Sequence, residues 1–199
     1  MRSSIIASFL LFTNFLCSQN YQFNLIANYE ANYDGKKHEN VVFSNSNDQS
    51  YFLNFQEKDA YLFDTKRFFR HRFKVKNNKD GKPVLVYKNS IKLDEVNPAT
   101  EYSFKFETIK EDSVQKIIKM IPLRNGEIVG PEYVELTAKK INSNLFPTFR
   151  FACLHLYETR TDININENLV IVNSRLIGSK QREFKLISLE ESNLNVIIN

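Results

Sequence analysis

Tyr21 to Tyr33 reads YQFNLIANYEANY, and its pattern decides the fold class. Tyr21, Phe23, Leu25, Ala27, Tyr29, Ala31 and Tyr33 are apolar or aromatic at every second place. Gln22, Asn24, Asn28, Glu30 and Asn32 lie between them, with Ile26 the exception. A helix repeats every 3.6 residues, whereas alternate side chains of a strand share a face. The segment is therefore a long strand with one buried face. Asp34-Gly35 follows, a pair that readily takes the positive backbone angles of a tight hairpin turn.

The same grammar continues downstream. Val41 and Phe43 alternate before the polar turn of residues 45–49, and Tyr51, Leu53 and Phe55 alternate after it. A turn at Lys58-Asp59 leads to Tyr61 and Phe63. From Arg67 to Val75, one face carries Phe69, His71, Phe73 and Val75 and the other Arg70, Arg72 and Lys74. Asp80-Gly81 ends that hairpin; Val84–Tyr87 and Ile91–Leu93 read as strands, and Asn97-Pro98 as a loop. Tyr102, Phe104 and Phe106 alternate, Val114 to Ile121 returns the chain, and Asn125-Gly126 turns it again.

Residues 132–141 alternate as a strand but hold good helix formers, and residues 148–157 are apolar on both faces. The sequence thus allows at most one short helix, between 132 and 156. Residues 169–172, 183–189 and 195–198 close the chain as strands, with Glu191-Ser192-Asn193 as a last hairpin turn. The expected class is all-β: a single antiparallel sheet, curved into a half-barrel or folded into a sandwich.

The beginning of the chain reads differently. Arg2 precedes an apolar run, Ile5 to Leu16 (IIASFLLFTNFL), and small and polar residues follow at Cys17-Ser18-Gln19. This is the layout of a secretory signal peptide, and the run is shorter than the ~20 residues that span a bilayer. Residues 1–18 are expected to be a cleaved leader and 19–199 a single β-rich domain. The protein is expected to be exported, to the periplasm, cell envelope or exterior. Cys17 follows the bulky Phe15 and Leu16, a poor setting for lipid attachment. No later stretch approaches membrane length, so the mature chain is expected to be soluble.

Seventeen Phe and nine Tyr in 199 residues can supply a core without disulfide staples. Without Cys17, Cys153 has no partner for a bridge, and burial is what preserves a lone thiol. The net charge of +4 is a mild excess, without the dense basic stripe of a nucleic-acid binder.

Catalytic patterns are scarce. Cys153 and His155 stand two apart, which on a strand puts both on one face and suggests an unrecognised hydrolase. Phe149, Phe151 and Tyr157 share that face and make it read as core, where a thiol is inert. Asp162, Asn164 and Asn166 open like a calcium loop, but Glu167 and Asn173 stand where that loop needs Gly and Glu. No Gly-x-Ser-x-Gly elbow or Gly-rich phosphate loop occurs, and no cofactor or metal is implied. The patch that stands out is residues 66–76, KRFFRHRFKVK. On a strand, Arg70, Arg72, Lys74 and Lys76 project from one face, able to meet an acidic surface or to shield an exposed edge.

The leader ending Phe15 to Gln19 (FLCSQ), followed by a Tyr- and Asn-rich alternating strand, resembles small secreted β-rich envelope proteins of the Bacteroidota. The resemblance implies a half-barrel of the lipoprotein-carrier type and carries no site residue. The functional expectation is a non-enzymatic binding or carrier protein that takes an apolar small molecule or lipid. An interaction module working through the basic strand is the alternative.

Overall fold

The computed structural model describes residues 18–56, 58–81, 83–93, 102–154, 162–178 and 182–198. Twelve strands form one open, antiparallel sheet, and one short helix packs on it, so the fold is all-β. The centre is a ribbon of two long strands, β1 (Gln19–Tyr33) and β12 (Arg182–Ile198), paired along almost their whole length. The odd-numbered residues of β1 that the alternation assigns to the core include Tyr21, Phe23, Ala27, Tyr29 and Ala31, all buried. Asp34 and Gly35, both at positive φ, form the two-residue turn into β2 (Lys36–Ser44).

On one side of the ribbon follow β2, β3 (Tyr51–Gln56), β4 (Asp59–Asp64), β5 (Phe69–Asn77) and the edge strand β6 (Pro83–Lys92). On the other side follow β11 (Leu169–Ile177), β10 (Tyr133–Lys140), β8 (Gln115–Arg124) and the edge strand β7 (Tyr102–Glu111). A two-residue strand, β9 (Glu127–Ile128), also pairs with β8.

Two joints in this sheet are short. β2 pairs with β3 only at Val42–Asn54 and Phe43–Leu53, and β11 meets β12 only over Asn173–Arg175. Few ladder bonds hold the direction there, so the sheet is free to turn. The burial pattern of β3 shows the outcome. Tyr51, Phe52 and Leu53 are all buried, so both faces of the strand are covered. Tyr51 and Leu53 join Tyr21, Phe23, Leu62, Phe73, Val196 and Ile198 in one apolar cluster under the free end of the ribbon. Phe52 and Phe63 point the other way, against the helix.

That helix, α1 (Phe146–Cys153), is buried at every residue. Pro147 sits in its first turn, where a missing N–H costs nothing, and Asn144 Oδ1 accepts the N–H of Phe146 at 3.0 Å. At the other end Asn40 Nδ2 donates to Ala152 O at 3.0 Å. A helix buried on every side, with its two polar residues Thr148 and Arg150 also inside, presents no solvated stripe, which is why periodicity does not reveal it. Phe146, Phe149 and Phe151 fill the space inside the curved sheet, with Phe151 stacked on Phe52 at 4.7 Å. Ile163 and Ile165, from the segment before β11, complete this larger core. Arg150, 2% exposed, is held within it by an Nη1 bond to Ile163 O at 2.8 Å.

Several local expectations are corrected. Glu191-Ser192-Asn193 is not a turn: β12 runs through it, and one residue of β1 there faces two of β12, a bulge that accommodates the polar triplet. Val84–Tyr87 and Ile91–Leu93 belong largely to the single strand β6. In β2 the core is met by Val42 and Ser44, while Phe43 packs from the opposite face against Phe23 and Phe55. Residues 132–141 hold a strand, and the apolar run after Pro147 is the helix. Asn97-Pro98 and residues 1–17 of the expected leader lie outside the described residues.

Candidate functional site

The β5–β6 hairpin builds the basic face. Its turn is closed by Gly81 N–H to Asn78 O at 3.1 Å and Asp80 N–H to Asn78 Oδ1 at 2.9 Å, with Gly81 at positive φ. The register sets Arg70 opposite Ile91, Arg72 opposite Asn89, Lys74 opposite Val86 and Lys76 opposite Val84. Directly paired residues of an antiparallel ladder share a face, so four cations and three branched aliphatic side chains form one surface. β5 is not the sheet edge; β6 is. The four cations therefore do not lie on the strand they were expected to shield. The edge strand instead exposes Val84 (43%) and Ile91 (42%) beside them.

Local contacts position the cations without cancelling them. Asp59 on β4 takes Arg72 Nη2 at 2.9 Å and Lys74 Nζ at 3.5 Å. The Arg72 hydrogen bond holds the Asp59 carboxyl below its ordinary range. Pairs this exposed contribute little to stability. Arg70 lies over the Tyr61 ring, with Cζ 5.5 Å from its centre. Lys76 is exposed and has no ion-pair partner among the described residues. In the sequence, residues 66–92 hold ten Lys and Arg against one acid, Asp80; the rest of the chain holds seventeen against twenty-two. The hairpin and its approach thus carry the positive charge of an otherwise acidic protein.

The opposite face of the same hairpin contains a polar chain that sequence reasoning missed. His71 Nδ1 lies 2.6 Å from Ser90 Oγ, which lies 2.7 Å from the Tyr87 hydroxyl. His71 Nε2 is 3.4 Å from Tyr21 Oη, and Tyr21 donates to Asp64 Oδ2 at 2.9 Å. Asp64 Oδ1 accepts the backbone N–H of Arg67 at 2.8 Å. His71 is 2% exposed, and burial depresses its pKa against the opposing pull of Asp64. The Tyr21 hydroxyl is pushed up, by burial first and then by its bond to Asp64. With Ser90 donating to Nδ1 and Nε2–H donating to Tyr21, the ring is satisfied at both nitrogens; the one Tyr21 proton is shared between Asp64 and Gln19 Oε1, 2.6 Å away. The chain ties β1 to β4, β5 and β6. Its members stand too far apart in sequence for spacing to announce it, and only His71 on an apolar strand face hinted at it.

The thiol expected beside a histidine is placed differently. Cys153 ends α1, 4% exposed, and burial drives its pKa well above the ordinary thiol range. His155 lies outside the described residues. The segment resembling a calcium loop is anchored by buried Ile163 and Ile165. Its Glu167 receives two hydrogen bonds from the Lys116 ammonium, at 2.6 and 2.8 Å. Among the described residues no group of three His, Cys, Asp or Glu side chains is arranged to hold a metal.

Two clefts mark the short joints of the sheet. One of about 560 Å³ opens between β11 and β12, lined by Lys139, Asn173, Lys185, Ile187 and Leu189 among others. One of about 330 Å³ opens between β2 and β3, beside Asn54, Gln56 and Phe151. The inner face of the curved sheet is taken up by α1. No helix among the described residues is long and apolar enough to cross a membrane.

No family model and no curated protein matches the chain. Among solved structures it is similar to PNGF-II, crystallised in a C2 space group, with a TM-score of 0.40 and 14% identity. The match covers 87% of this chain and 28% of that one. It is a distant likeness between β-rich chains.

Proposed function

We propose that the protein is an exported, non-enzymatic binding module that docks on an anionic surface through the β5–β6 face. The observation that carries this reading is the concentration of charge: ten cations in residues 66–92 of a chain that is acidic elsewhere, four of them aligned on one strand face. A surface of one sign raises the local concentration of opposite charge and speeds encounter. A sheltered apolar ligand is less well supported, because the side chains of α1 occupy the inside of the curved sheet. Export is consistent with β1 beginning at Gln19, since removal of residues 1–18 leaves the strand whole.

Retention on phosphocellulose tests the reading. Reversing Arg70, Arg72, Lys74 and Lys76 to Glu is expected to lower the eluting salt concentration sharply. Reversing Lys105, Lys110, Lys119 and Lys139, on the other arm of the sheet, is expected to change it little. Equal shifts from the two sets would reject a localised docking face.

A further inference from the structure

Resting on that reading, we infer that the anionic surface is a lipid bilayer, with Val84 and Ile91 entering the headgroup layer while the β5 cations bind phosphates. The register supports this over a soluble polyanion. Arg70, Lys74 and Lys76 each face a branched aliphatic residue, Ile91, Val86 and Val84, across the β5–β6 ladder. A hydrated polyanion offers such side chains nothing apolar to meet. A bilayer surface offers phosphates and, just beneath them, hydrocarbon, the pairing that membrane-surface segments with one basic and one apolar side exploit.

Position fits as well. β6 ends the sheet, so its outer edge meets no neighbouring strand among the described residues. Lys79 in the hairpin turn and Lys88 at the β6 bulge are exposed on the same hairpin. Asp59 lies under Arg72 and Lys74 on the same face and moderates, without abolishing, the charge.

The test is co-sedimentation of the mature chain with vesicles of phosphatidylcholine alone or mixed with phosphatidylglycerol, run beside phosphocellulose retention. Binding is expected only to the mixed vesicles and is expected to fall with added salt. The double variant Val84→Ser, Ile91→Ser removes apolar contact at exposed positions and keeps every charge. It is expected to weaken vesicle binding about tenfold while leaving phosphocellulose elution unchanged. Circular dichroism of that variant is expected to match the parent. Unweakened vesicle binding by the double variant would overturn bilayer entry. Retention on phosphocellulose with no vesicle binding would overturn this inference and leave the anionic-surface reading standing. Failure on both supports would remove both.

Discussion

Tyr29 on β1 donates its hydroxyl to the backbone oxygen of Ile171 on β11, at 3.0 Å. The two residues belong to strands that are not neighbours, since β12 lies between them in the sheet. Ile171 lies two residues before β11 joins the β12 ladder at Asn173, so no β12 residue is paired with it. Tyr29 reaches beneath the parting strands and supplies a donor. Burial raises the phenol's pKa well above its ordinary value, so it stays protonated and able to donate.

Replacing Tyr29 with Phe keeps the ring and strands that buried carbonyl. An unsatisfied buried acceptor costs about 1–3 kcal/mol. Urea unfolding of Tyr29→Phe is expected to show a loss of that size with an unchanged m-value. A neutral result would mean that the joint relaxes to admit water.

Phe151 is the side chain through which α1 grips the β3–β4 layer, stacked on Phe52 and edge-on to Phe63 at 5.0 Å. Truncation to Ala leaves a cavity that close packing does not readily refill. Phe151→Ala is expected to lose about 3–5 kcal/mol in chemical denaturation. A loss below about 1 kcal/mol would contradict the burial described for the helix.

His71 makes stability depend on pH. Its folded-state pKa lies below the 6.5 of the free side chain. Above that value both states are neutral and the contribution is fully present. As pH falls, the unfolded chain takes a proton that the folded chain resists, so stability drops through the window down to the folded value. Tyr21, Asp64 and Arg67 face the ring from one side, Ser90 and Tyr87 from the other. Thermal melts between pH 7.5 and 5.5 are expected to slide downward for the parent and to flatten for His71→Gln. Parallel slopes would assign the acid sensitivity to other groups.

Cys153 is predicted to resist alkylation in the folded protein and to react fully once unfolded. Iodoacetamide labelling followed by peptide mass analysis reads this directly. Labelling in native buffer at the rate of a free thiol would show that the end of α1 opens.

The expected leader is open to direct measurement. Expressed in a bacterial host from Met1, the chain is expected to appear outside the cytoplasm with a new N-terminus close to Gln19. Arg at Leu11 and Phe12 is expected to retain it inside, unprocessed. Recovery of intact Met1 chains from the exported fraction would refute cleavage.

Alternation made the sheet legible because most strands have one wet and one dry face. β1 is read from Tyr21 to Tyr33 for that reason, two residues short of its observed start at Gln19. The same rule misleads where both faces are dry. β3 carries an apolar residue at each of its first three places and gives no sign of lying between two cores. α1 shows only a proline and an apolar run. The basic face was readable, since four cations at even positions on a strand must share a side. Its aliphatic half was not, because the match of Arg70 to Ile91 and Lys76 to Val84 depends on a register that passes through a bulge after Arg72. The polar chain through His71 joins residues as distant as 21 and 90, a proximity that only tertiary structure creates.

The central ribbon joins the first described strand to the last. β1 therefore waits for its main partner until residues 182–198 have been made, and the cluster around Tyr21 and Phe23 waits with it. Contacts of such long sequence separation form late and slowly. A chain of this design completes its central pairing only after the hairpins of both arms have had time to form from neighbouring segments.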